Sequence, residues 1–423
     1  MDSIKGDGNV KLVSLTNDQF EKFASTHPLN NYMQTYKYAL VMTDAGYDYD
    51  FMGYEDDNSN IVAASLILSK SITGKVKYGY APKGFLINYY DEVLLKSFLR
   101  DLVIYYKDKN FVFIKFNPEI ITGQTDINHK YQMAYNGNVR IIDALKSMSV
   151  KRRMELREFD LMEPKFNAYI NLKTFSINSV NRNFRKKVRK CIKSGMSLVS
   201  GDVKSMDKLY SFISMKTNKN IQYYRTLFNV YNRDNSIDLL YVNMNFETAL
   251  LFARDKYEKE QVKNDEWNNI IQSKPTPRNL NAKMNSDKKL AAYKDLVIKA
   301  TDGLKAHKET IIAGAIVIKH YNRVSIITSG YDEQYKFLNP NHFLYYAIFE
   351  RYKPYFSFCD LHGVSGNFEH TSQYNGLNQF KLKWNPVIYE FIGEFDLIIN
   401  NSTFKRLIKT SFIEDEFNKK RSF

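Results

Sequence analysis

The chain has 423 residues, enough for two or three domains and too many for one small module. Hydrophobic residues at 44%, aromatics at 15% and only nine prolines exclude a disordered chain and promise large buried cores. A net charge of +15 makes polyanions the expected partners, whether RNA, nucleotide phosphates or an anionic membrane face, while two distant cysteines, Cys191 and Cys359, form no disulfide framework.

Apolar patterning predicts a strand over 10–15 and a helix over 17–25 with Thr16 as its N-cap, then a second helix over 34–45. Strand patterns follow at 50–55, 61–69 and 78–81, a helix at 91–109 and a strand at 111–117. The same rhythm returns over 166–384: strand 167–171, a basic helix over 180–194, helix 204–215 and strand 238–244. After an interruption come strands 311–319 and 324–328, helix 343–352 and strand 355–360. The expected organisation is two similar mixed α/β domains, 1–160 (completed by 385–423) and 161–384.

The interruption, 246–308, reads as an antiparallel helical arm: two long charged stretches flank the breaker Ser273-Lys274-Pro275-Thr276-Pro277. Leu290, Tyr293, Val297, Ala300 and Leu304 recur at coiled-coil spacing, opposite Leu250, Ala253, Tyr257, Trp267 and Ile271 with Glu260 and Asn264 in the seam. The arm is expected to be a solvated hairpin packed on itself; an RNA-touching arm with Lys283, Lys288, Lys289 and Lys294 is the alternative.

Residues 183–193 form the densest chemical signal. On a helix they give one strongly cationic face, with Phe184, Val188 and Cys191 turned inward. Arg185 and Arg189, one turn apart, can grip a diphosphate or follow an RNA backbone. The stretch from Asp360 through Gly363 and Gly366 to Phe368 is a strand entering a glycine-punctuated loop, followed by Phe380-Lys381. Cys359, Asp360, His362 and His370 lie close in sequence, yet strand alternation sets Cys359 against Asp360 and His362, so no metal is expected. The chain contains no Gly-x-Ser-x-Gly elbow, phosphate loop or acyl-coenzyme A loop.

Taken together these segments resemble the Fem-type peptidoglycan bridge aminoacyltransferases. The similarity rests on His27-Pro28, Tyr32-Met33-Gln34-Thr35, Tyr80-Ala81-Pro82-Lys83-Gly84, Ile114 to Pro118, 165–172, the basic helix ending in Lys193-Ser194-Gly195, Asp360 to Gly366 and Phe380-Lys381, in that order with the arm between. The resemblance implies two acetyltransferase-like (GNAT-like) mixed-sheet domains and transfer of Gly, Ala or Ser from a charged tRNA to the side-chain amine of a peptidoglycan precursor. It implies Lys381 as the catalytic charge near the tRNA end, Arg185 and Arg189 near the precursor phosphates, and Tyr80, Lys83 and Phe380 as substrate-binding residues. No cofactor beyond the aminoacyl-tRNA is implied. The expected setting is the cytoplasm, with a lipid-linked or nucleotide-linked precursor, peripheral contact with the inner membrane face and a related transferase as a partner.

Several positions depart from the family pattern, among them Phe85 in place of a usual Pro and Leu382-Lys383-Trp384 in place of a glycine-containing turn after Lys381. Met42 stands where a phosphate-binding Lys is typical, with Lys37 on another helix face, and Asn88 stands where an Asp is frequent. A tRNA-dependent transferase with another amine acceptor, or a tRNA-binding paralogue without activity, is the alternative reading.

Overall fold

The computed structural model describes residues 4–5, 10–125, 131–133, 136–148, 150–152, 163–367 and 374–410. Thr16 caps α1 (Asn17–Thr26) in a reciprocal box: its hydroxyl accepts from the Gln19 amide, and the Gln19 side chain accepts from the Thr16 amide. Thr35 likewise caps α2 (Tyr36–Asp44), so this helix begins two residues later than its sequence pattern suggests.

Before and after these helices run strands β1 (Ile4–Lys5), β2 (Val10–Ser14), β3 (Asp48–Asp56), β4 (Ile61–Thr73) and β5 (Val76–Ala81). Helix α3 (Glu92–Asp108) then leads to β6 (Phe111–Phe116), followed by β7 (Ile121–Thr125), β8 (Tyr131–Met133), α4 (Asn136–Lys146) and β9 (Val150–Arg152). The next elements are β10 (Phe166–Asn171), α5 (Arg182–Lys193), β11 (Met196–Gly201), α6 (Met206–Ile213), α7 (Ile221–Tyr231) and β12 (Ile237–Asn245). The arm is α8 (Phe246–Ser273) and α9 (Pro277–Ala306). After it come β13 (Glu309–His320), β14 (Arg323–Tyr331), α10 (Pro340–Tyr352), β15 (Phe358–Val364), α11 (Asn375–Leu382), β16 (Val387–Phe391), β17 (Phe395–Ile398) and α12 (Asn401–Lys409).

These strands make two mixed sheets, ordered β1-β2-β3-β4-β5-β6-β17-β9 and β11-β12-β13-β14-β15-β10-β16-β7-β8. Each has the same plan. A run of antiparallel strands, β1 to β5 in one and β11 to β14 in the other, is followed by one parallel pair, β5 with β6 and β14 with β15, and then by an antiparallel neighbour. A parallel pair needs a crossover, which α3 supplies in one sheet and α10 in the other. The recurring rhythm of the sequence is thus a repeat of topology. The sheets do not respect a division at 160 and 384, however: β7 and β8 leave the first half to join the second sheet, β16 stays with the second, and β17 returns to the first. Such swaps leave no trace in local patterning, because each short strand still alternates normally.

Phe184, Val188 and Cys191 are the buried face of α5, and its lysines and arginines face outward. In the arm, Ala249, Leu250 and Ala253 meet Ala300 near the root, while Glu260, Asn264 and Ser286 are buried in the middle. The polar seam is satisfied internally. Ser286 donates to Glu260 at 2.9 Å, Asn264 donates to Asp287 at 2.8 Å, and Lys283 donates to Asn264 at 3.0 Å. Lys283 therefore turns into the seam, whereas Lys288, Lys289 and Lys294 are exposed. No described helix is long and apolar enough to cross a membrane.

Candidate active site

Three sequence segments far apart in the chain meet beside the first sheet. The buried Gln34 side chain accepts from the Leu66 amide at 2.9 Å and donates to the Pro82 carbonyl at 2.7 Å, tying the turn after β5 to β4. Lys83 in that turn has a left-handed backbone and donates its amide to Asn117 at 2.8 Å, where β6 ends. Gly84 lies so close to Gln34 that an added Cβ would sit 2.9 Å from its amide nitrogen, so a larger residue here would displace the brace.

In the second sheet, β14 and β15 pair only from Arg323 with Phe358 to Ser325 with Asp360, and then separate. Opposite this point β15 carries one extra residue against β10, between the pairs Tyr169 with Asp360 and Asn167 with Gly363, and His362 adopts a left-handed backbone. A bulge of this kind redirects backbone groups. Asp360 holds it by accepting from the His362 amide at 2.8 Å and from the Asn167 side chain. The redirected Gly363 carbonyl accepts from the Lys381 ammonium at 2.7 Å. Helix α11 delivers that ammonium: Asn378, one turn earlier on the same face, exchanges two hydrogen bonds with the Ser365 backbone.

The separated strands open into a cavity of about 750 Å³ shared by both halves of the chain. Its walls include Tyr32, Tyr38, Met42, Tyr47, Lys70 and Tyr80 from the first half. The other wall carries Lys219, Tyr223, Thr328, His362, Phe380 and Lys381. Burial lowers the Lys381 amine to about 8, with nearby Asp360 opposing the shift. The amine remains mostly protonated at neutral pH, so a buried cation forms part of the cavity wall.

Of the residues singled out in the sequence, Lys381, Phe380 and Tyr80 line this cavity together. Phe380 also packs against Phe184, His342, Tyr345 and Trp384, joining the cavity wall to the inner face of α5. Arg185 and Arg189 do not line it: both donate to Asn178, to its carbonyl at 2.7 Å and its side chain at 3.2 Å. Lys83 is buried outside the lining, 3.8 Å from Glu119 and 5.5 Å over the Phe391 ring. Met42 lines the cavity, Lys37 pairs with Asp234 at 2.7 Å, and Asn88 is exposed. Cys359 lies in the core; His370 and Phe368 fall outside the described residues.

Two features have no sequence signature. Glu163, a cavity-lining acid, is raised to about 7 chiefly by burial, with Lys83 and Lys219 pulling down and Glu394 and Glu119 adding to the rise. Arg323, outside the cavity lining, donates to Glu119 at 2.6 Å, Tyr169 at 3.1 Å and His320 at 2.9 Å. Neither residue belongs to a spacing motif; only the folded geometry brings them into play.

A two-sheet protein with an aromatic and cationic cavity between its halves, and a helical arm inserted in the second, is the class defined by this geometry. Residues 15–409 match the model of the FemAB family, so the chain belongs to that family and is a transferase. It is 22% identical over 419 residues to aminoacyltransferase FemA of Staphylococcus epidermidis, covering 92% of this chain and 96% of that one. Against lipid II:glycine glycyltransferase of Staphylococcus saprophyticus it is 20% identical over 401 residues, covering 92% and 93%. The crystal structure of FemX superimposes with a TM-score of 0.70 at 17% identity, covering 94% of this chain and 99% of that one, and so has the same fold.

Proposed function

We propose that the protein transfers an amino acid, Gly, Ala or Ser, from a charged tRNA to the side-chain amine of the stem peptide on a peptidoglycan precursor, at the cytoplasmic side of the membrane. The observation that carries this reading is the buried Lys381 ammonium in the wall of a 750 Å³ cavity, a volume typical of a ligand site. Family membership and the relatives' names, aminoacyltransferase FemA and lipid II:glycine glycyltransferase, support the same chemistry. An aminoacyl ester is already activated, so aminolysis needs no further cofactor. The neutral acceptor amine attacks the ester carbonyl, charge develops on the carbonyl oxygen, and Lys381 stabilises it as the ribose oxygen departs with a proton. Outward cations on α5 and along the arm are proposed to follow the tRNA backbone or the anionic membrane face.

The test is a mass measurement. The protein is incubated with glycyl-, alanyl- and seryl-tRNA and with lipid-linked and nucleotide-linked pentapeptides, with a ribonuclease-treated control. A ribonuclease-sensitive gain of one residue supports the reading and identifies donor and acceptor. Lys381→Ala is expected to lower the rate on the order of 100-fold or more while precursor binding persists. Failure of wild type to modify either precursor with verified charged tRNA overturns the reading. The apolar Met42 in the cavity wall favours a second reading, in which the acceptor amine belongs to a different molecule.

A further inference from the structure

The cavity carries a chemistry that Lys381 does not explain. Glu163 shares the cavity lining with Tyr32, Tyr38, Tyr80 and Tyr223, and its carboxyl acts electrostatically on all four phenols. The rings come from separate places in the chain: Tyr32 before α2, Tyr38 on α2, Tyr80 on β5 and Tyr223 on α7. Tyr32 and Tyr38 meet edge to face, 6.1 Å between centroids. The Tyr80 hydroxyl is buried with no hydrogen-bond partner among the described residues, a polar group with unused capacity at the cavity wall. The charged groups that act on Glu163 are Lys83, Glu394, Lys219 and Glu119.

A carboxylate and several aromatic rings lining one cavity can bind an ammonium ion together: the acid supplies the opposite charge, and ring quadrupoles replace lost water. The protein itself displays this preference, because the Lys219 ammonium lies 5.2 Å over the Tyr223 ring. We propose that Glu163, with Tyr32, Tyr38, Tyr80 and Tyr223, forms a subsite for a primary ammonium group of the substrate. A ligand cation there would be held by charge and by ring faces, and the Tyr80 hydroxyl could accept one of its N–H groups. In the transfer reaction, on which the choice of probes rests, two groups have this chemistry: the acceptor's side-chain amine and the α-amine of the donated residue. Glu163 then sorts substrates by charge, while Lys381 acts on the ester.

Calorimetric titration tests the subsite without requiring transfer. In one arm, wild type binds a nucleotide-linked pentapeptide carrying a lysine and its Nε-acetylated form. In the other, it binds an adenosine bearing glycine through a stable amide and the N-acetyl form of that compound. The expected result is at least a tenfold preference for the free amine in one arm, which names the source, falling to less than twofold in Glu163→Gln. Glu163 is half-protonated near pH 7 in the free protein, so capture of a cation should expel protons, seen as a binding enthalpy that depends on the buffer and loses that dependence in Glu163→Gln. The Gln substitution keeps the shape and removes a charge crowded by Glu394 and Glu119, so folding should be preserved; Tyr80→Phe supplies a second variant with a smaller loss of preference. Equal affinity for free and acetylated probes in both arms, no binding of any probe at millimolar concentration, or a preference retained in Glu163→Gln overturns the subsite. A protein that transfers an amino acid but shows no preference loses the subsite and keeps its activity; one that shows the preference but transfers nothing keeps the subsite and loses the transfer reading.

Discussion

The Arg323 guanidinium lies 2.6 Å from the Glu119 carboxylate, and this contact joins β14 of the second sheet to the turn that leaves β6 of the first. Both side chains are largely buried, and Arg323 also donates to the Asn30 carbonyl, so one residue gathers three segments of the chain.

Loss of Arg323 should therefore be severe. Arg323→Ala leaves Glu119 buried without its main partner and is expected to cost about 3–5 kcal/mol, read from the urea midpoint. A loss below about 1 kcal/mol would mean that the two halves are held together elsewhere.

The same contact sets the acid sensitivity. Burial opposes ionisation of Glu119, yet Arg323 and Lys83 outweigh it and hold the carboxyl at about 2, against an ordinary 4.5. A depressed carboxyl gives stability that is complete above its unfolded value and disappears as pH falls through the folded one, here between about 4.5 and 2. Burial also lowers His320 to about 3, so its contribution begins to decline earlier, below 6.5. Glu119→Gln should flatten the stability curve in the lower window and leave the His320 decline; an unchanged curve would remove Glu119 from the account.

Lys381 has the opposite effect on stability. With its amine lowered from 10.5 to about 8, keeping it charged opposes folding below pH 8, and that penalty is relieved as pH rises from 8 to 10.5. Lys381→Met loses the bond to Gly363 but also the buried charge, so stability at pH 7 should be unchanged or higher by up to about 2 kcal/mol. Thermal melts at pH 7 and pH 10 check this: a variant clearly less stable than wild type at pH 7 would make Lys381 a structural residue.

The seam of the arm should respond to single and combined substitutions differently. Asn264→Ala removes the partner of Asp287 and Lys283 within the seam and is expected to weaken the hairpin by about 1–3 kcal/mol, seen as faster amide exchange in α8 and α9. Replacing Glu260, Asn264 and Ser286 together by leucine or alanine should restore the protection.

Both thiols should be silent in the native state. Burial raises Cys191 to about 12 and pushes Cys359 upward as well, and both are buried. A thiol reagent at pH 8 is expected to label neither until the protein is unfolded; fast labelling of either would show that its part of the core opens locally.

Much of the repeat is legible in the sequence because apolar periodicity survives wherever a strand or helix has one buried face. Thr16, the inward face of α5 and the coiled-coil positions of the arm are of this kind. The cavity is only half legible. Phe380-Lys381 and Tyr80 lie in motifs, and the folded chain brings them to one cavity. Arg185 and Arg189 look equally chemical in sequence, yet their spacing gives the helix face and not what that face meets, which is Asn178. Glu163 and Arg323 are isolated charges in sequence, and their character comes from burial by residues as distant as Glu394 and Asn30. Strands β16 and β17 are too short, and their destinations too far apart, for local patterning to assign them to different sheets.

The return of β17 also governs how the protein can be made. It sits between β6 and β9, pairing Phe395 with Phe116 on one side and with Arg152 on the other. On the ribosome, every strand of the second sheet is synthesised before β17 appears, so the first sheet waits with the β6 edge bare while its neighbour is already complete. The half begun first is the half finished second. During that interval the nascent chain presents an open template for strand pairing, and a pause in translation after β16 would prolong the stage most exposed to misassembly.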